Sequence, residues 1–139
     1  MTKPILLDTG VIVAWLDKAE LHHKECVKVL GKLKGQLITC EPVITEACYL
    51  LRNVKGASES ILANIEQHVF QVPWILSGNE QRIVELMKKY SKVPMDFADA
   101  CLVNMAEQFE TSEILSLDSD FKVYRWKGRK EFKVLIPSV

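Results

Sequence analysis

The stretch ILLDTGVIVAWLDK, residues 5 to 18, decides how the rest of the chain is read. It opens with an apolar run of the kind that forms a strand buried on both faces. The run ends on an acid, Asp8, then passes through Thr9 and Gly10 into Val11, Ala14 and Trp15, which repeat at helical spacing. A carboxylate at the end of a buried strand costs free energy unless something compensates its charge. In open α/β sheets that carboxyl edge is also where ligands bind. A strand over 4–8 and a short helix over 10–17 are therefore predicted, with Asp8 at their junction as helix cap or as part of a site.

Working outward, helical spacing continues over about 21–34, QLITC (36–40) reads as a strand, and Pro42 suits the first turn of a helix running to about Asn53. Ser58 starts another helix, to about His68, and Asn79 caps one that reaches about Tyr90. FQVPWIL (70–76) is ambiguous and reads as an extended connection, because Pro73 cannot donate to a ladder. Asp96 opens a helix with Ala98, Cys101, Leu102, Met105 and Phe109 on one face. EILSLD (113–118) is a second strand ending on an acid, and FKVLI (132–136) a final one. Strands alternating with helices predict an α/β fold, a three-layer α/β/α sandwich around a mostly parallel central sheet.

Hydrophobic residues make up 48% of the chain and charged residues 26%, a globular rather than a disordered balance. A single domain over residues 1–139 is expected, large enough to bury roughly two thirds of its unfolded surface. No apolar run approaches the ~20 residues of a membrane span. The start of the chain, one lysine before an apolar run broken by Asp8, does not resemble a signal peptide. A cytoplasmic protein without membrane association is expected. Cys26, Cys40, Cys48 and Cys101 lack C-x-x-C spacing and sit among apolar residues, so they are read as core thiols rather than zinc ligands.

Eighteen basic residues balance eighteen acidic ones, so total charge does not decide for or against a nucleic-acid partner. The basic residues do cluster, in Lys88, Lys89 and Lys92 and in a tail holding Lys122, Arg125, Lys127, Arg129, Lys130 and Lys133. Each cluster is either a solvated face or a phosphate-binding surface.

Four acids repeat the pattern of the opening stretch. Asp8 and Asp118 end strands that share a carboxyl edge in a parallel sheet. Glu46, in PVITEACYLL, borders the apolar stripe of Val43, Ala47, Leu50 and Val54, and Asp99, in MDFADACLV, lies beside the buried face of Ala98 and Leu102. Carboxylates converging on one cleft raise one another's pKa unless a cation is present. Oxygen ligands without a His/Cys set favour Mg²⁺ or Mn²⁺, and such ions engage phosphate oxygens. Singly, each acid has an ordinary alternative: Asp8 a helix cap, Glu46 a partly exposed helix residue, Asp96 with Asp99 a capping box, Asp118 and Asp120 turn residues.

These segments resemble the PIN-domain ribonucleases, and within them the VapC-type toxins of toxin–antitoxin pairs. LLDTGVIVAWLDK followed by His22 and His23, PVITEACYLL, MDFADACLV and ILSLDSDFKVYR match the family's four motifs in order, over nearly the whole chain. The resemblance implies metal-dependent endoribonuclease activity leaving a 5′-phosphate, with the metal-binding and catalytic acids at Asp8, Glu46, Asp99 and Asp118. Asp96 and Asp120 are second-tier acids under that reading. Ser116 stands where the family often has threonine and keeps the hydroxyl, and Thr9 matches the hydroxyl position after the first acid. The implied ion is Mg²⁺ or Mn²⁺. The implied partners are an RNA substrate, a cognate antitoxin whose terminal segment enters the active-site groove, and a second copy of the chain in a homodimer.

Lys122, Arg125, Lys127, Arg129 and Lys130 are the residues expected to track RNA phosphates. His22, His23 and His68 are expected at surface or cap positions, outside a metal-dependent mechanism. A haloacid-dehalogenase-type phosphohydrolase would need a second aspartate where Gly10 stands, and a phosphate-accepting receiver domain would need paired acids after the first strand. The remaining alternative is a non-catalytic PIN-fold module binding RNA or protein, against which the full set of four acids argues, since a bare acidic cleft repels a phosphate backbone.

Overall fold

The computed structural model describes residues 3–136. Strand β1, Pro4–Leu7, runs through the middle of a five-stranded sheet, with α1 (Thr9–Leu16) and α2 (His23–Lys32) leading to β2 (Gln36–Ile38). Helices α3 (Glu41–Leu50) and α4 (Ala57–Glu66) lead to β3 (Phe70–Gln71), and α5 (Glu80–Lys89) and α6 (Phe97–Phe109) to β4 (Glu113–Leu115). A 3₁₀ turn, Ser119–Lys122, and a small antiparallel hairpin, β5 (Arg125–Trp126) with β6 (Lys130–Glu131), precede the last sheet strand, β7 (Lys133–Val134).

The sheet order is β3-β2-β1-β4-β7, and every neighbouring pair is parallel. Leu6 sits beside Ile38 on one side and Ile114 on the other, which fixes the register of the three central strands. The chain steps outward from β1 to β2 and β3, then α5 and α6 carry it back past β1 to β4. Right-handed crossovers place the two outward helix pairs on one face and the returning pair on the other, so the sheet is flanked by helices on both sides. The edge-to-face contact of Trp15 in α1 with Phe70 in β3, centroids 6.3 Å apart, lies on the outward side. The direction reverses between β1 and β4, and this switch point is where the carboxyl ends of two neighbouring strands leave a crevice.

Several details differ from the sequence expectation, among them the final strand, expected over 132–136 and confined to Lys133–Val134. EILSLD ends as a strand at Leu115, because the Ser116 hydroxyl accepts the Asp118 backbone N–H at 3.0 Å and turns the chain out of the ladder. Asp118 therefore stands past the strand, as the cap of the 3₁₀ turn. Helix α4 begins at Ala57, ahead of Ser58, since Gly56 takes a left-handed φ of 76° that starts the helix one residue earlier. Helix α6, expected to bury one face, is buried continuously from Ala98 to Ala106, because α3, α5, β1 and β5 all pack around it.

FQVPWIL does contain a strand, a two-residue one that stops before Pro73. Cys26, Cys40 and Cys101 are buried, Cys48 is half-buried, and all four are free thiols, as expected of core cysteines. Among the described residues no helix is long and apolar enough to cross a membrane.

Candidate metal centre

Asp8 is positioned by the ladder itself. Its backbone N–H donates to the Leu115 carbonyl at 3.0 Å, extending the β1–β4 pairing by one residue to the crevice. As the N-cap of α1 it accepts the Thr9 N–H on Oδ1 at 2.8 Å, while Ser116 Oγ donates to Oδ2 at 2.7 Å. The cap reading and the site reading of Asp8 are thus compatible, since one oxygen serves each neighbour.

Asp99 comes from the first turn of α6. Asp96 caps that helix by accepting the Asp99 N–H on Oδ1 at 2.8 Å, as the capping pattern of the sequence suggests. The Asp99 carboxylate accepts the Tyr124 hydroxyl on Oδ2 at 3.1 Å. Asp118 is exposed, and its Oδ1 accepts the Asp120 N–H at 2.9 Å within the 3₁₀ turn.

One carboxylate oxygen each from Asp8, Asp99 and Asp118 converges within 4.8 Å of the others. Glu46 does not join that trio. It is half-buried on α3, close enough for its charge to act on Asp8. Asp96 and Asp120 serve as cap and turn residues beside the cluster. Thr9 is buried, and its hydroxyl has no hydrogen-bond partner among the described residues.

The electrostatics follow from this crowding. Burial first, then the charges of Asp118 and Glu46, push Asp8 up to about 6, against the hydrogen bonds from Ser116 and Thr9 that favour its ionised form. Burial and the charge of Asp96, then that of Asp8, push Asp99 up to about 8, with the Tyr124 hydroxyl opposing. Two buried acids that resist ionisation beside a third exposed one make a site short of positive charge. The donor set is oxygen only and three-sided, which fits a hard divalent cation and not zinc, whose sites draw on histidine and cysteine.

Beside the cluster opens a groove of about 750 Å³ whose lining includes Glu46 and Asp96. Its walls are largely apolar, with Tyr49, Ile75, Leu76 and Phe97 all exposed.

The basic tail is placed less simply. Arg125 turns its guanidinium back onto the carbonyls of Lys122, Val123 and Tyr124, and Lys130 lies 4.6 Å over the Trp126 ring. Lys127 donates its backbone N–H to Glu107 at 2.7 Å and its ammonium to Glu110 at 2.9 Å. Glu107 is eight residues beyond Asp99 on α6, about 12 Å along the axis, so the hairpin tip sits toward the far end of that helix. His22 and His23 lie at the start of α2, where His23 bonds the Ala14 carbonyl at 2.7 Å, and His68 is exposed after α4. Nothing local in the sequence marks Tyr124 as a neighbour of Asp99, the acid 25 residues away that it touches.

A parallel sheet that gathers carboxylates at its switch point defines a class of α/β protein whose acidic crevice could hold a cation. The chain belongs to the PIN domain family, whose model matches residues 5–127. A relative from Mycobacterium tuberculosis, Ribonuclease VapC26, is 24% identical over 134 residues, which cover 94% of this chain and 99% of that protein. The crystal structure of Mycobacterium tuberculosis VapC20, a Sarcin-Ricin loop cleaving toxin, matches with a TM-score of 0.78 at 19% identity. That match covers 86% of this chain and 93% of VapC20, and at this identity it bears on the fold alone.

Proposed function

We propose that this chain is a metal-dependent endoribonuclease and the toxin of a toxin–antitoxin pair, acting in the cytoplasm as one domain over residues 1–139. The observation that carries the reading is the convergence of Asp8, Asp99 and Asp118 at the switch point of a PIN fold. The relative's name, a ribonuclease, supports it.

In this reading Asp8, Asp99 and Asp118 hold Mg²⁺ or Mn²⁺, and Glu46 orients the attacking water from the groove side. When bound, such an ion supplies positive charge that offsets the charge developing on the scissile phosphate. The chain's own residues do the rest. Ser116 fixes the rotation of the Asp8 carboxylate through the 2.7 Å bond, and Asp96 fixes the first turn of α6. Thr9 offers the site an unused buried hydroxyl. Lys122, Arg125, Lys127, Arg129 and Lys130 would engage phosphates away from the scissile one, given where the hairpin lies.

The apolar groove with its acidic rim suits a partner segment that carries both aliphatic and basic side chains, which is the part we assign to the antitoxin. A second copy of the chain in a homodimer is the other partner, for which we assign the exposed Leu50 and Leu62 on α3 and α4 as contacts. The test is incubation of the purified protein, free of antitoxin, with a mixed small-RNA pool in Mg²⁺, in Mn²⁺ and in EDTA, alongside Asp8→Asn. Cleavage that requires metal and vanishes in the variant is the expected result. RNA binding without cleavage under every metal would replace this reading with that of a non-catalytic RNA-binding module.

A further inference from the structure

Tyr124 stands near the end of ILSLDSDFKVYR, six residues past Asp118, and its side chain is completely buried. Its ring is held edge-on by Tyr90 and by Phe121, with centroids 5.1 Å away in each case, and Phe121 is backed in turn by Phe132. Its backbone N–H donates to the Asp120 carbonyl at 3.0 Å, which ties it to the same 3₁₀ turn that Asp118 caps. A ring held in this way has little freedom, and its hydroxyl points at one oxygen of Asp99, 3.1 Å away.

Asp8 has an equivalent partner. Ser116 donates to Asp8 Oδ2, and Tyr124 donates to Asp99 Oδ2. The nine residues from Ser116 to Tyr124 thus supply one acid of the cluster, Asp118, and a hydroxyl to each of the other two. We propose that Tyr124 is a positioning residue: its hydroxyl sets the rotation of the Asp99 carboxylate and leaves the other oxygen to the ion. This rests on reading Asp8, Asp99 and Asp118 as the metal centre. Groups that orient a metal-binding carboxylate are typically worth about 10–100-fold in affinity.

The neighbouring Tyr90 supplies the control. It is also buried and in the same aromatic cluster, but its hydroxyl accepts the Arg125 backbone N–H at 2.9 Å. Tyr124→Phe and Tyr90→Phe each delete one hydroxyl and keep the ring. Mn²⁺ binding to the full chain is measured by the loss of the free-ion electron paramagnetic resonance signal, with circular dichroism and urea midpoints as the check on folding.

The expected result is Mn²⁺ affinity weakened about tenfold or more in Tyr124→Phe and unchanged in Tyr90→Phe. Equal affinities for wild type and Tyr124→Phe overturn the proposal. So does a Tyr124→Phe chain that no longer folds, which would make the hydroxyl a structural bond. If the wild type itself takes up no Mn²⁺, the metal centre fails and this inference with it; RNA cleavage in Mn²⁺ alongside an unchanged Tyr124→Phe affinity defeats this inference alone.

Discussion

Asp8 and Asp99 hold their protons to about pH 6 and about pH 8, whereas both ionise near 3.8 in an unfolded chain. The sign of the consequence is fixed by linkage. Below pH 3.8 neither state carries the charge and the two acids cost nothing. As pH rises the unfolded state ionises first, and stability is lost until the folded carboxyls ionise as well. For Asp8 alone the loss is about 3 kcal/mol. Metal-free protein should therefore melt at falling temperatures between pH 4 and pH 8, a window set by the three cited pKa values. Asp8→Asn should flatten that slope and melt above wild type at pH 8, while matching it at pH 4. Thermal melts in EDTA across the range check it, and a wild-type slope of the opposite sign would show that burial does not dominate these acids.

At the scale of elements, α6 carries the most. It is buried continuously from Ala98 to Ala106 and delivers Asp99 from its first turn, so its cap serves both stability and site geometry. Asp96→Ala removes the acceptor of the Asp99 N–H and should cost about 1 kcal/mol of stability in urea denaturation. It should also weaken divalent-ion affinity, because the turn that aims Asp99 loses its anchor. Stability lost with ion affinity intact would confine Asp96 to a capping role. The cap was legible in MDFADACLV, and so were β1, its acid and the helix after it, because strand, cap and helical period are all local signals.

Other features were not legible, for a shared reason. The end of β4 at Leu115 depends on a hydroxyl that also reaches Asp8, 108 residues away in sequence. The continuous burial of Ala98–Ala106 depends on four other elements arriving around α6. Tyr124 becomes a neighbour of Asp99 only after the chain has folded, and the local pattern placed Glu46 at an apolar border without showing that it stands outside the tight trio.

For the whole molecule, the sheet order concentrates the acids at one crevice and leaves the metal-free protein carrying their mutual repulsion. A cation that binds only the folded state adds stability by mass action, about 2.7 kcal/mol at a hundred times its dissociation constant. Mn²⁺ should therefore raise the melting temperature more at pH 8 than at pH 5, where the buried acids keep their protons, and EDTA should reverse the gain. An equal rise at both pH values would point to an ion bound elsewhere on the surface.

The bond between Ser116 and Asp8 joins residues 108 apart along the chain, so one is made long before the other. Asp8 is made first, Asp99 91 residues later, and Asp118 and Tyr124 later still. A chain still being made has no assembled cluster, however much of its length is already folded. On the proposed reading, a nascent chain therefore cannot cut RNA until the segment from Ser116 to Tyr124 has been made and folded.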